Sequence, residues 1–321
     1  MFSYFCHLGR HPGVEFPFPA IRLTNIELSM VRKNMESARK EQEDKEDEGT
    51  QRTNGIILMN SSREIEGKYM DYLSVLINRT IIPVGSLVQD SSVVPDHDDD
   101  DDDDEIMAWL DEKYELSSVF VSFGSEYFLK KDEIEEIAYG LELSNVNFIW
   151  IIRFPKGKEM KLAEVLPKGY LDRIGNRGKV VIKWSPQGKI LMHSSIGAFV
   201  SHCGWNSLME SIEFGVPIVA MPMHLDQPMN AKLVVEIGVG VEVRRHEEGK
   251  IEREEICKVI KDVVFGENGQ VLRKRIGEMR EIIRFTSRKE NEEVVEKLVQ
   301  VCGKSFDANS YNHGRNEEEN V

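Results

Sequence analysis

The chain has 321 residues, 40% of them hydrophobic and 30% charged, with a formal net charge of −15. That length holds two domains of ordinary size, or one with long tails. No apolar run reaches the ~18–20 residues that cross a bilayer, and Met1 to Gly9 has neither the basic start nor the apolar core of a secretory signal, which excludes an integral membrane protein.

The acidity is local. Asp96 to Glu105 carries −9, Lys40 to Glu48 carries −4 and Arg315 to Glu319 carries −2, which together account for the whole net charge. The balanced remainder has no basic face, so a nucleic-acid partner is excluded. Cys6, Cys203, Cys257 and Cys302 are far apart and form no CxxC pair. Neither a zinc site nor a disulfide framework fits, and a reducing compartment, the cytoplasm, does.

Taken in chain order, the first 88 residues carry a β-α-β piece. Asn54 to Asn60 is a short apolar run that reads as a buried strand. Arg63 to Ile77 is helical, with Ile65, Tyr69, Tyr72, Leu73 and Leu76 on one face. Thr80 to Val84 is a second strand. Residues 36–49, charged and without aromatics, read as a solvated loop. Residues 89–105 hold seven consecutive Asp, Asp98 to Asp104. Repulsion is expected to keep that run extended as an interdomain linker.

Beyond it, strands are expected at Ser118–Phe123, Asn147–Arg153, Gly178–Lys183, Gly197–Ser201, Pro217–Met221 and Val239–Val243. Helices are expected at Lys131–Leu143, Gln187–His193, Trp205–Phe214, Asp226–Ile237, Glu252–Phe265, Val271–Phe285 and Asn291–Cys302. Strands alternating with helices imply a parallel sheet. Residues 106–302 make one complete doubly wound α/β domain, residues 1–88 hold too few strands for a second, and residues 303–321 read as a disordered tail.

Parallel α/β sheets bind ligands outside the carboxyl ends of their strands. Here one strand runs directly into His202-Cys203-Gly204-Trp205-Asn206-Ser207, where a helix starts. Free N–H groups and the helix dipole favour an anion at such a turn. Glu210 shares a helix face with Asn206 and Ser207, and a carboxylate suits paired ribose hydroxyls. Another strand ends at Gly124-Ser125. A third leads to Asp226-Gln227, an acid and an amide able to bond a polyol. Trp184 and Gln187 follow a fourth, with a flat face for a base. An aromatic, phosphate donors, a ribose-type acid and an acid–amide pair together suggest a nucleotide-sugar site. An NAD-dependent oxidoreductase would need a GxGxxG turn, and Phe123-Gly124-Ser125-Glu126 is not one.

Trp184-Ser-Pro-Gln187, His202-Cys-Gly-Trp-Asn-Ser207, Glu210, Gly215-Val-Pro217 and Asp226-Gln227 lie within a span of 44 residues. That span resembles the donor-binding signature of the plant secondary-product UDP-glycosyltransferases, inverting enzymes of family 1. Further similarity runs from about Trp109 to Cys302. Gly124-Ser-Glu-Tyr-Phe128 and Met221-Pro-Met-His-Leu225 resemble the branch that adds sugars to sugars already on flavonoids, terpenoids or carotenoid-derived acids. The resemblance implies the two-Rossmann-domain GT-B architecture, with residues 106–302 as the UDP-sugar domain and 1–88 as part of an N-terminal acceptor domain. It implies that Trp184 stacks on uracil, Gln187 and Glu210 hold the ribose, and Ser125, His202, Asn206 and Ser207 bind the diphosphate beside the Gly204 backbone. Trp205, Asp226 and Gln227 then line the sugar, and a Gln at position 227 leans towards glucose.

It further implies a monomer that takes a UDP-sugar donor and a small-molecule glycoside or aglycone acceptor, with no metal and no other cofactor. In the family the catalytic base is a His in a loop after the first strand, oriented by an Asp. His7 and His11 follow no strand and do not match that loop. The match is instead to a family stretch with roughly 120–150 residues of its N-terminal domain ahead of it. On that reading the base and its Asp are absent and the sequence alone is a poor catalyst. The alternative is a protein that binds UDP-sugar without transferring it.

Overall fold

The computed structural model describes residues 2–29, 31–32, 56–88, 100–155, 157, 160–182 and 185–309. The charged loop 36–49, residues 89–99 and the last twelve residues lie outside the described ones.

Six parallel strands form the larger sheet: β3 (Ser118–Ser122), β4 (Asn147–Ile151), β5 (Gly178–Val181), β6 (Ile196–Ser201), β7 (Ile218–Ala220) and β8 (Gly240–Glu242). Their spatial order is β5-β4-β3-β6-β7-β8. The chain thus winds outward from β3 in one direction, then returns and winds outward from β6 in the other. Between β3 and β6 lies the switch point of a doubly wound sheet, where ligands bind. The register aligns the strand ends there: Ser122 pairs with Ser201, and Ser201 with Ala220.

The four inner strands are largely apolar on both faces because both faces are covered. In β4, Phe148 and Trp150 point to one side, among Ile134, Ile137 and Leu141 of α4 (Lys131–Ser144) and Ile256, Ile260 and Val263 of α8 (Arg253–Phe265). Ile149 and Ile151 point to the other, with Ile106, Trp109 and Leu110 of α3 (Asp100–Asp111) and Ile190 and Leu191 of α5 (Gln187–Met192). The period-2 alternation of side chains accounts for the split.

The N-terminal residues form α1 (Phe2–Arg10), then β1 (Ile56–Met59), α2 (Arg63–Ile77) and β2 (Thr80–Pro83). The two strands pair in parallel, as the β-α-β reading requires; α1 has no counterpart among the sequence expectations. These elements share a core with the larger domain. Tyr4, Phe16, Ile21, Ile65 and Tyr69 join Leu208 and Ile212 of α6 (Trp205–Phe214) and Leu233 of α7 (Gln227–Glu236) in one cluster. A charged contact reinforces the join: Lys232 Nζ lies 3.0 Å from Glu27 Oε1 and 2.7 Å from Glu242 Oε2, and all three side chains are largely shielded from water.

Two expectations need correction. From Asp100 the acidic run is helical, not extended. Ile106, Trp109 and Leu110 anchor the last turns of α3 in the core, and the acids fall near its N-terminal end, where the helix dipole favours negative charge. At the other end of the chain, the two expected helices are one, α9 (Glu267–Asn309), which also covers the first part of the expected tail. No Gly or Pro interrupts Phe285 to Asn291. Leu272, Ile276, Met279 and Ile283, at spacings of three and four, bury one stripe of it. Further along, its Glu290 Oε1 accepts the Arg63 backbone N–H at 3.2 Å.

Candidate functional site

The crevice at the switch point is built by the two turns that follow β3 and β6. Gly124 has φ +74°, a left-handed conformation that glycine adopts without penalty. A Cβ placed on it would lie 2.7 Å from His202 Nε2, and one on Gly204 would lie 2.5 Å from the same atom. The His202 imidazole is therefore wedged between two glycine backbones. Burial, with His224 nearby, pushes its pKa down to about 4, so it is neutral at pH 7. Cys203 carries the turn at φ +64°. Its thiol is fully buried and pushed up in pKa by that burial, which leaves it inert.

Helix α6 starts at Trp205 with Gly204 as its N-cap, and no side chain caps it. Its first N–H groups remain open to an anion beside the neutral His202. Ser125 and Asn206 are exposed at this crevice, and Ser207 is buried. Glu210, one turn into α6, accepts a hydrogen bond from Gln187 Nε2, which also lies 3.4 Å from Ser207 Oγ. Burial raises the Glu210 pKa, although the Gln187 bond opposes it. The proposed ribose pair is thus in contact across α5 and α6. Trp184 lies outside the described residues.

Trp205 turns its indole towards the N-terminal elements, and Nε1 donates to the Asn60 carbonyl at 2.6 Å. Phe2, Phe5, Met59, Asn60, Glu66, Trp205, Leu225 and Asp226 line a cavity of about 440 Å³ between the two parts of the chain. Asp226 stands at the N-cap position of α7 but makes no capping bond. Its Oδ2 instead accepts Asn230 Nδ2 at 3.0 Å, and the same nitrogen donates to the Cys203 carbonyl at 3.0 Å. Asn230, fully buried, thereby ties the turn after β7 to the turn after β6. Sequence reading missed this residue and Asn60, and took His224 as a structural histidine. Only the spacing of Asp226 and Asn230, one helical turn apart, offered a hint.

A doubly wound sheet with an uncapped helix start, a half-buried carboxylate–amide pair and an acid–amide pair at its switch point has the arrangement of nucleotide-binding α/β proteins. The family model for UDP-glucoronosyl and UDP-glucosyl transferases matches residues 87–276, and the chain belongs to that family. It is 49% identical over 305 residues to the beta-D-glucosyl crocetin beta-1,6-glucosyltransferase of Gardenia jasminoides, covering 94% of this chain and 68% of that protein. It is 54% identical over 245 residues to the mogroside IIIx synthase of Siraitia grosvenorii, covering 76% of this chain and 51% of that protein. Among solved structures, it is similar to a UGT transferase from Siraitia grosvenorii in complex with UDP, at a TM-score of 0.72 and 29% identity, with 92% of this chain and 74% of that one covered. It is also similar to Phytolacca americana UGT2 complexed with UDP-2fluoro-glucose and pterostilbene, at a TM-score of 0.66 and 33% identity, over 76% of this chain and 54% of that one. These relatives bear out the family and architecture expected from the sequence, including the likeness to sugar-on-sugar enzymes.

Proposed function

We propose that the chain binds a UDP-sugar, with glucose as the sugar, at the β3/β6 switch point and serves its transfer to a hydroxyl of a plant secondary metabolite or its glycoside. The observation that carries this reading is the open start of α6 beside the neutral His202, one turn from the Glu210–Gln187 pair. In it, residues 106–302 are the donor domain and residues 1–88 belong to the acceptor domain. Trp184 stacks on uracil. Glu210 and Gln187 take the ribose hydroxyls. Ser125, His202, Asn206, Ser207 and the backbone from Gly204 hold the diphosphate, and Trp205, Asp226 and Gln227 face the sugar.

The acceptor oxygen attacks the anomeric carbon as the bond to the diphosphate oxygen breaks, which inverts that centre. The charge that develops on the leaving UDP falls on N–H donors already oriented towards it. His202 stays neutral and donates, rather than taking the acceptor's proton. That proton needs a base, which the resemblance places in the family's first loop, a loop that neither His7 nor His11 matches. The cavity beside Trp205 and Asp226 suits an acceptor with an apolar body. No helix among the described residues is long and apolar enough to cross a membrane, and Cys6, Cys203 and Cys257 are free thiols. The free thiols fit a reducing compartment such as the cytoplasm, and the reading as a monomer rests on the family resemblance.

The test is the thermal stability of the purified chain with and without UDP, together with product formation from UDP-glucose and a glycoside acceptor. UDP is expected to raise Tm in the parent, whereas Trp184→Ala and Glu210→Gln lose most of that rise. If both variants keep the full rise, the site assignment is wrong.

A further inference from the structure

Building on the donor-site reading, we propose that His224 is a positioning residue, holding the Gln227 amide in the one orientation that serves the donor sugar. Gln227 is 3% exposed at the start of α7. Its Oε1 accepts the backbone N–H of Met223 at 2.9 Å and that of His224 at 3.0 Å. Two backbone donors seat the amide oxygen, and the restraint is completed only where the amide nitrogen is also held. The amide nitrogen then lies 2.7 Å from His224 Nδ1. An amide nitrogen only donates, so Nδ1 accepts and the imidazole proton resides on Nε2.

This bonding decides what Gln227 can offer. Both lone pairs of Oε1 are used, and one of its two N–H groups is given to His224. One donor is left for a ligand, and no acceptor. The acceptor of the pair is Asp226, whose carboxylate retains capacity after taking the single bond from Asn230. The two residues are thus a fixed donor and a fixed acceptor, a pattern that distinguishes one hydroxyl arrangement from another.

His224 is itself fixed by packing. Its ring stands edge-on to Tyr127, with centroids 4.9 Å apart and an interplanar angle of 76°. The Tyr127 hydroxyl in turn donates to Glu133 Oε1 at 2.8 Å, in the first turn of α4. A phenyl ring at position 224 preserves the contact with Tyr127 and removes the acceptor. An asparagine there removes the ring and returns an acceptor oxygen near the place of Nδ1. The two substitutions separate the hydrogen bond from the packing.

The experiment is calorimetric titration of the whole chain and of His224→Phe and His224→Asn, with UDP and UDP-glucose as the two probes. UDP affinity is expected to stay within about twofold in all three proteins. UDP-glucose affinity is expected to fall about five- to tenfold in His224→Phe, the scale of one hydrogen bond, and to recover in His224→Asn. Equal UDP-glucose affinity in His224→Phe and the parent overturns the proposal. So does a parallel loss of UDP and UDP-glucose, since the residue would then act on the whole fold. A parent chain that binds neither probe overturns the donor-site reading itself, which is a different result.

Discussion

Acid should unfold this protein through His202, and the size of the effect can be worked from its burial. The imidazole is 9% exposed between Gly124 and Gly204, with its pKa lowered from 6.5 to about 4. The folded pKa lies below the unfolded one, so between those values the unfolded chain holds the proton and the folded chain does not. The contribution is therefore complete above pH 6.5 and is lost as pH falls towards 4. Each pKa unit corresponds to about 1.4 kcal/mol, which gives about 2 kcal/mol lost at pH 5 and about 3 kcal/mol at pH 4. Urea unfolding followed by tryptophan fluorescence at pH 7, 6 and 5 measures it, with His202→Asn as the reference that cannot titrate. The parent should lose about 2 kcal/mol more than the variant between pH 7 and 5. Saturating UDP should shrink the difference, because a diphosphate beside the ring favours its charged form. Equal losses in parent and variant would refute the burial argument.

Three other outcomes follow from the same geometry. Gly204→Ala places a methyl group 2.5 Å from His202 Nε2, so it should cost about 1–3 kcal/mol in urea unfolding and abolish the rise in Tm with UDP. Lys232→Met leaves Glu27 and Glu242 facing each other without their shared cation. A loss of about 3–5 kcal/mol is expected, and Glu27→Gln in the same chain should restore part of it. Trp205→Phe removes the donor to the Asn60 carbonyl. It should cost about 1 kcal/mol and speed hydrogen exchange in β1 more than in β4; equal exchange in the two strands would mean that the bond does not join the two parts.

The six strands and most of the helices beyond residue 106 were legible in the sequence because each is a short apolar run or an amphipathic period bounded by Gly, Pro or polar turns. The short helices Leu162–Val165 and Tyr170–Ile174 were not expected, and the last two expected helices are one. The residues proposed to hold the UDP-sugar could be picked out too, since most of them follow strand ends within one short span. Local pattern could not show the sheet order. That order sets β3 beside β6, so that Gly124 and Gly204 close on His202 from two distant turns. Nor could it show that Asp100 to Asp104 would be helical, because the core contacts of Ile106, Trp109 and Leu110 outweigh the repulsion that composition suggested. The links Trp205–Asn60, Asn230–Cys203 and His224–Gln227 were invisible for a related reason. Side-chain hydrogen bonds between separate turns leave no periodic trace in a sequence. Propensity and motif spacing are properties of neighbouring residues, and they marked the strands of the larger sheet and most of its helices. The site's donors, acceptors and tautomers depend on which turns meet, and only the packed sheet decided that.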